Sequence, residues 1–173
     1  DELNEKKNDT VAVITDESFI YVLAKGVAKH ASIPEGSVNA AFLLFNVLSE
    51  CENLSCNDRK ILKSAAEAIH DYYGKGIGIT HTDPEFGKTT AVNGMVRTKD
   101  CKLRLSFDVR YGSTLDAELL EKTADKSVDC LGFTVISKDN SPGFAIEKDS
   151  PIPGIFEDIF EEVTGERLSS VLM

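Results

Sequence analysis

The chain has 173 residues, 42% of them hydrophobic, enough to bury the core of one ordinary globular domain. Its formal net charge is −10, and its 19 lysines and arginines are scattered among 29 acids, which argues against a nucleic-acid backbone as partner. Residues 1–9 are polar and read as a flexible segment with no signal peptide, and the longest apolar run, AAFLLFNVL, is too short to cross a bilayer, so no membrane partner is expected. Cys51, Cys56, Cys101 and Cys130 form no C-x-x-C pair and read as reduced thiols of a cytoplasmic protein, not as a zinc knuckle.

Taken in chain order, VAVITDESFIYVLAKGVAKH carries β-branched and aromatic residues with partial alternation. It predicts two strands or one long bent strand. NAAFLLFNVLSE is apolar almost all round and predicts a buried helix. In NDRKILKSAAEAIHDYYG, Ile61, Leu62, Ala65, Ala66, Ile69 and Tyr73 recur at helical spacing, with Asn57 as N-cap and Gly74 as stop. The glycines of GKGIGI follow that helix instead of opening one, so Gly74, Gly76 and Gly78 read as turn residues and not as a phosphate loop.

The period then changes to two. TTAVNGMVRTKD and CKLRLSFDVRYG predict paired strands around a polar turn, with Leu103, Leu105, Phe107 and Val109 on one face. STLDAELLEKTADKS predicts a helix with Ser113 and Asp116 as a capping box, and GFTVISKD a further strand. SPIPGIFEDIFEEVTGE predicts a helix capped by Ser150, with Pro151 at its first position and Gly165 at its end. Its apolar stripe is Ile152, Ile155, Phe156, Ile159, Phe160 and Val163, and Glu161 and Glu162 face solvent. The order implies an α+β fold: a two-layer ferredoxin-like sandwich, an antiparallel sheet with helices on one face.

Few residues carry chemistry. His30 ends an alternating run at the mouth of a turn, where a structural histidine bonded to backbone is the ordinary reading and an acid, base or donor role the sharper one. His70 and His81 share no ligand spacing with it, so no metal is expected inside this chain. Arg110 ends a strand before a glycine turn. It suits either an ion pair with Asp108 or Asp116, or a bidentate clamp on a substrate carboxylate. No Ser-His-Asp or Cys-His set is legible.

At these residues a family resemblance emerges. AKHASIPEGSVNAA, YYGKGIGITHTDPEFGKTTAVNGMV, LRLSFDVRYG and DSPIPGIFEDIFEEVTGE, in that order, resemble the lid domain of PepV-like zinc dipeptidases, relatives of carnosinases, aminoacylases and succinyl-diaminopimelate desuccinylases. The likeness runs from about Asp16 to about Leu168. It implies a lid over residues 10–148 and, over 149–173, a helix returning to a catalytic domain. It also implies that His30 stabilises the oxyanion formed on a dipeptide or N-acyl amino acid, that Arg110 grips the substrate carboxylate, and that Asn39 contacts substrate. Asn39 serves equally well as a helix cap. The family's two zinc ions and its glutamate base belong to segments upstream and downstream, so the resemblance implies that this chain binds no zinc and is inactive alone. One departure is local: the glycine of the signature falls early, at Gly36, with Ser37 in its place. The competing expectation is a non-catalytic α+β dimerisation or ligand-sensing module, since such modules share this sandwich.

Overall fold

The computed structural model describes residues 10–141 and 150–167. Strands β1 (Val11–Thr15) and β2 (Ile20–Ala24) form an antiparallel hairpin, so the first alternating run is two strands. Asp16 closes the turn, its Oδ1 accepting the N–H groups of Ser18 and Phe19 at 2.8 and 2.7 Å. Val11 and Val13 face inward and are buried, while Ile14, Tyr21 and Leu23 on the opposite face are exposed.

A reciprocal backbone pair between Val27 and Val38 closes the loop that carries His30. Gly26 permits this closure, because a Cβ there would run into the Val38 carbonyl. Helix α1 (Ala40–Ser49) follows, capped by Asn39. It is half-buried where full burial was expected: only Phe45 and Ser49 are buried, because α1 finds cover only along the side that meets β2 and the next helix.

Helix α2 (Cys56–Ile69) is capped by Ser55, not Asn57: the Ser55 Oγ accepts from Asp58 N–H at 3.0 Å. It ends at Ile69, well before Gly74, because Asp71 Oδ1 captures the N–H groups of Tyr73 and Lys75 at 2.8 and 2.9 Å. Gly74 and Gly78, with φ of 80° and 73°, bracket a 3-10 turn at Lys75–Ile77. A side chain at Gly76 would strike the carbonyls of Glu67 and Ala68, so this turn packs directly on α2.

A small hairpin that periodicity did not announce, β3 (Thr82–Asp83) with β4 (Gly87–Lys88), leads into the long pair β5 (Thr90–Lys99) and β6 (Lys102–Arg110). Helix α3 (Ala117–Cys130) is capped by Asp116, whose Oδ1 accepts from Leu119 N–H at 2.9 Å; Ser113 lies outside it. Residues 132–139 were expected to form a strand and join no ladder. Side chains anchor this stretch instead: Lys138 meets Asp125 at 2.6 Å, and Asn140 accepts the Tyr111 hydroxyl at 2.9 Å. The α+β class holds, but the strands are three separate two-stranded pairs among the described residues, not one sheet.

One core joins these pieces. Ala65, Ala66, Ala68 and Ile69 of α2 pack with Ile77, Ile79, Ala91 and Leu120, flanked by Leu103, Leu105, Phe107 and Val109 on the inner face of β6. That is the apolar face read from the alternation. Helix α4 (Pro151–Thr164) has the expected Ser150 cap, Pro151 start and Gly165 stop. Its apolar stripe is uncovered apart from half-buried Phe160: Phe156 is 63% exposed and Val163 78%. All four cysteines are free thiols, and no helix among the described residues is long and apolar enough to cross a membrane.

Candidate functional site

Thr90, at the start of β5, joins the two predicted site segments. It is paired across the strands with Arg110, and its buried hydroxyl donates to the Ala31 carbonyl at 2.8 Å. His30 and Arg110, eighty positions apart in sequence, are thereby brought to the same end of the domain.

The His30 loop is ordered by its own residues. Ile33 N–H bonds the His30 carbonyl at 3.0 Å, Pro34 is buried, and Gly36 takes a left-handed φ of 76° to turn the chain. The imidazole itself is exposed. Its Nδ1 lies 2.7 Å from Ser32 Oγ and 3.3 Å from Ser32 N. A backbone N–H can only donate, so Nδ1 accepts from it and carries no proton. Nε2, at the outward edge of the ring, is then the nitrogen that presents an N–H donor. Asn39 caps α1, its Oδ1 accepting from Ala41 N–H and Phe42 N–H at 3.0 and 3.3 Å.

Arg110 is half-buried and engages Asp108 through two parallel bonds, Nε to Oδ1 at 2.7 Å and Nη2 to Oδ2 at 3.0 Å. Of the two acids that sequence offered it, the structure selects Asp108, two residues back on the same strand face. This carboxylate holds the guanidinium pKa above its ordinary value. The pairing occupies one edge of the fork and leaves the Nη1 edge for a second oxyanion.

Asp83 was not singled out from the sequence, yet it fixes the turn after Arg110. It is buried, and its carboxylate accepts from the N–H groups of Phe86, Thr114 and Glu85 and from the Thr114 hydroxyl at 2.8 Å. Those donors, Phe86 N–H first among them, hold its pKa well below the usual carboxylate range. Gly112 lies against this carboxylate, and a Cβ there would overlap it. The Asp-Pro step in TDPEFG was the available signal, since Asp before a turn binds the backbone two and three residues on. Tyr73 was read only as a helix position; its hydroxyl donates to Glu35 at 2.6 Å and ties the His30 loop to the segment after α2. Glu35 responds with a lowered pKa, and the Tyr73 phenol is pushed up to about 12 by the same bond.

The histidines do not gather. His70 Nδ1 meets the Glu67 carbonyl at 2.7 Å, and His81 Nε2 lies 3.2 Å from the Thr114 hydroxyl. No group of three or more His, Cys, Asp or Glu side chains among the described residues is arranged to hold a metal.

No family model matches the sequence. The chain is 32% identical over 135 residues to a Beta-Ala-Xaa dipeptidase of Lactobacillus delbrueckii subsp. lactis. The chain is similar to part of a dipeptidase. That alignment takes in 76% of this chain, which spans 28% of the length of the curated relative it matches.

Proposed function

We propose that the chain is the substrate-covering lid of a dipeptidase or related amide hydrolase. The observation that carries this reading is the similarity to a Beta-Ala-Xaa dipeptidase over 135 residues. In this role His30 donates its Nε2–H to the carbonyl oxygen of the scissile bond as that oxygen becomes negative. A fixed donor of this kind acts in the transition state more than in the ground state, and so raises kcat. Arg110, held from one side by Asp108, offers its free edge to the C-terminal carboxylate of the substrate. Asn39 holds the helix behind the His30 loop through its Oδ1 and keeps its amide N–H groups for the substrate.

Two zinc ions, which the resemblance implies for such an enzyme, do not fit the described residues of this chain: its histidines are dispersed and each has its own partner. Their ligands belong to a separate catalytic domain, and bound there they would supply an activated water. The exposed stripe of α4 supports such a domain as the neighbour, since burying one side chain the size of Phe156 is worth about 1.5–3 kcal/mol.

Metal analysis and a dipeptide assay on the 173-residue chain test this division of labour. The expected result is no stoichiometric zinc and no turnover. Tight zinc with hydrolysis by this chain would refute it.

A further inference from the structure

A cavity of about 210 Å³ opens beside the 3-10 turn at Lys75–Ile77 and the β3–β4 hairpin. Its walls include Tyr73, Lys75, Thr80, His81, Thr82 and Lys88. Tyr73 reaches the His30 loop through Glu35, and His81 reaches the Arg110 turn through Thr114. We propose that this cavity is a binding site for a small oxyanion, a carboxylate or a phosphate, held by the ammonium groups of Lys75 and Lys88.

The argument rests on unspent donors. Among the described residues neither lysine has a carboxylate within ion-pair distance. Lys88 stands 4.6 Å above the centre of the Tyr73 ring, which orients its charge without neutralising it. Two carboxylates stand nearby with their charge intact, each holding hydrogen bonds, and Glu35 also feels the Lys88 charge. Asp71, also in the wall, accepts two backbone N–H groups at Oδ1, and Glu35 accepts the Tyr73 hydroxyl. The Thr80 and Thr82 hydroxyls add further donors.

His81 stands at the edge of the cavity and reports on it without holding the anion. The single proton of the Thr114 hydroxyl goes to Asp83, so the Thr114 oxygen accepts from His81 Nε2–H. The ring therefore turns its Nε2–H to Thr114, and its orientation is set by the Arg110 turn. Occupancy is felt at both ends: through Tyr73 and Glu35 in the His30 loop, and through His81 and Thr114 in the Arg110 turn. A cavity of this kind in a chain of net charge −10 selects by local donors and not by overall field.

The test is an NMR titration of the 173-residue chain with inorganic phosphate, with acetate and with chloride, at matched ionic strength. Saturable shifts at His81, Lys88 and Thr82, with smaller saturable shifts at Ser32 and Thr114, are expected for phosphate or acetate, with His70 as the unmoved control. Saturation by phosphate alone assigns the site to free phosphate. Saturation by acetate assigns it to a carboxylate, such as an acidic side chain of a peptide. Lys75→Gln/Lys88→Gln should weaken binding at least about tenfold, while Lys88→Arg retains it. Shifts that grow linearly and equally with all three salts overturn the proposal, as does saturation unchanged in the folded double variant. Should the double variant fail to fold, the wild-type titration alone decides.

Discussion

At the scale of single residues, His30 shows how a small local contact sets chemistry. Ser32 supplies both groups that face Nδ1, and this leaves Nε2 as the proton-bearing edge. On the proposed function, His30→Ala in the intact protein is expected to lower kcat about 10²–10³-fold with little change in KM, as loss of an oxyanion donor does. Ser32→Ala should cost less, because the Ser32 backbone N–H still directs the tautomer. Steady-state kinetics on one dipeptide separates the two. Asp83 makes a prediction about pH. Its pKa is depressed in the folded chain, so its contribution to stability is present above the unfolded value of about 4 and is lost as pH falls below it. Melting temperature should therefore fall with acidification below about pH 4 more steeply in the wild type than in Asp83→Asn. Equal slopes would remove Asp83 as the anchor of the Arg110 turn. Periodicity encodes neither feature, since Ser32 and Asp83 matter through local contacts; the Asp-Pro step of TDPEFG was the one local signal, and it pointed to Asp83.

At the scale of elements, the legible parts were those whose pattern is local. The alternation along β6 placed Leu103, Leu105, Phe107 and Val109 on the core side, and the Ser-Pro start and Gly165 stop delimited α4. Caps went astray where two candidates competed: Ser55 and Asp116 won over Asn57 and Ser113 because their oxygens reach an N–H of the first turn. The stretch 132–139 has strand-like composition, but strand formation needs a partner edge, and Lys138 is tied to α3 while Asn140 just beyond it is tied to Tyr111. The β5–β6 turn carries a testable strain. Asp100 and Cys101 both have positive φ, 52° and 56°, where Asn-Gly would fit more easily. Cys101→Gly should stabilise the chain by about 1 kcal/mol in urea unfolding; a loss of stability would contradict the turn geometry.

At the scale of the whole molecule, the sequence could announce the stripe of α4 but not its exposure, which depends on what the rest of the chain leaves uncovered. That exposure separates a surface helix from a core helix. Phe156→Lys is expected to change the stability of the 173-residue chain by no more than about 0.5 kcal/mol while lowering hydrolysis by the intact protein. A loss of about 3–5 kcal/mol would mean that α4 packs within this chain's own core. The convergence of His30 and Arg110 was likewise beyond periodicity, since it is made by one hydroxyl, Thr90, bridging loop and strand. The most direct measurement of the central claim is kcat and KM for the intact protein on a dipeptide and on its C-terminal amide, in wild type, His30→Ala and Arg110→Ala. The account predicts a kcat loss on both substrates for His30→Ala, and for Arg110→Ala a KM rise confined to the free carboxylate. An intact protein that hydrolyses neither substrate, or variants that match wild type on both, would contradict it.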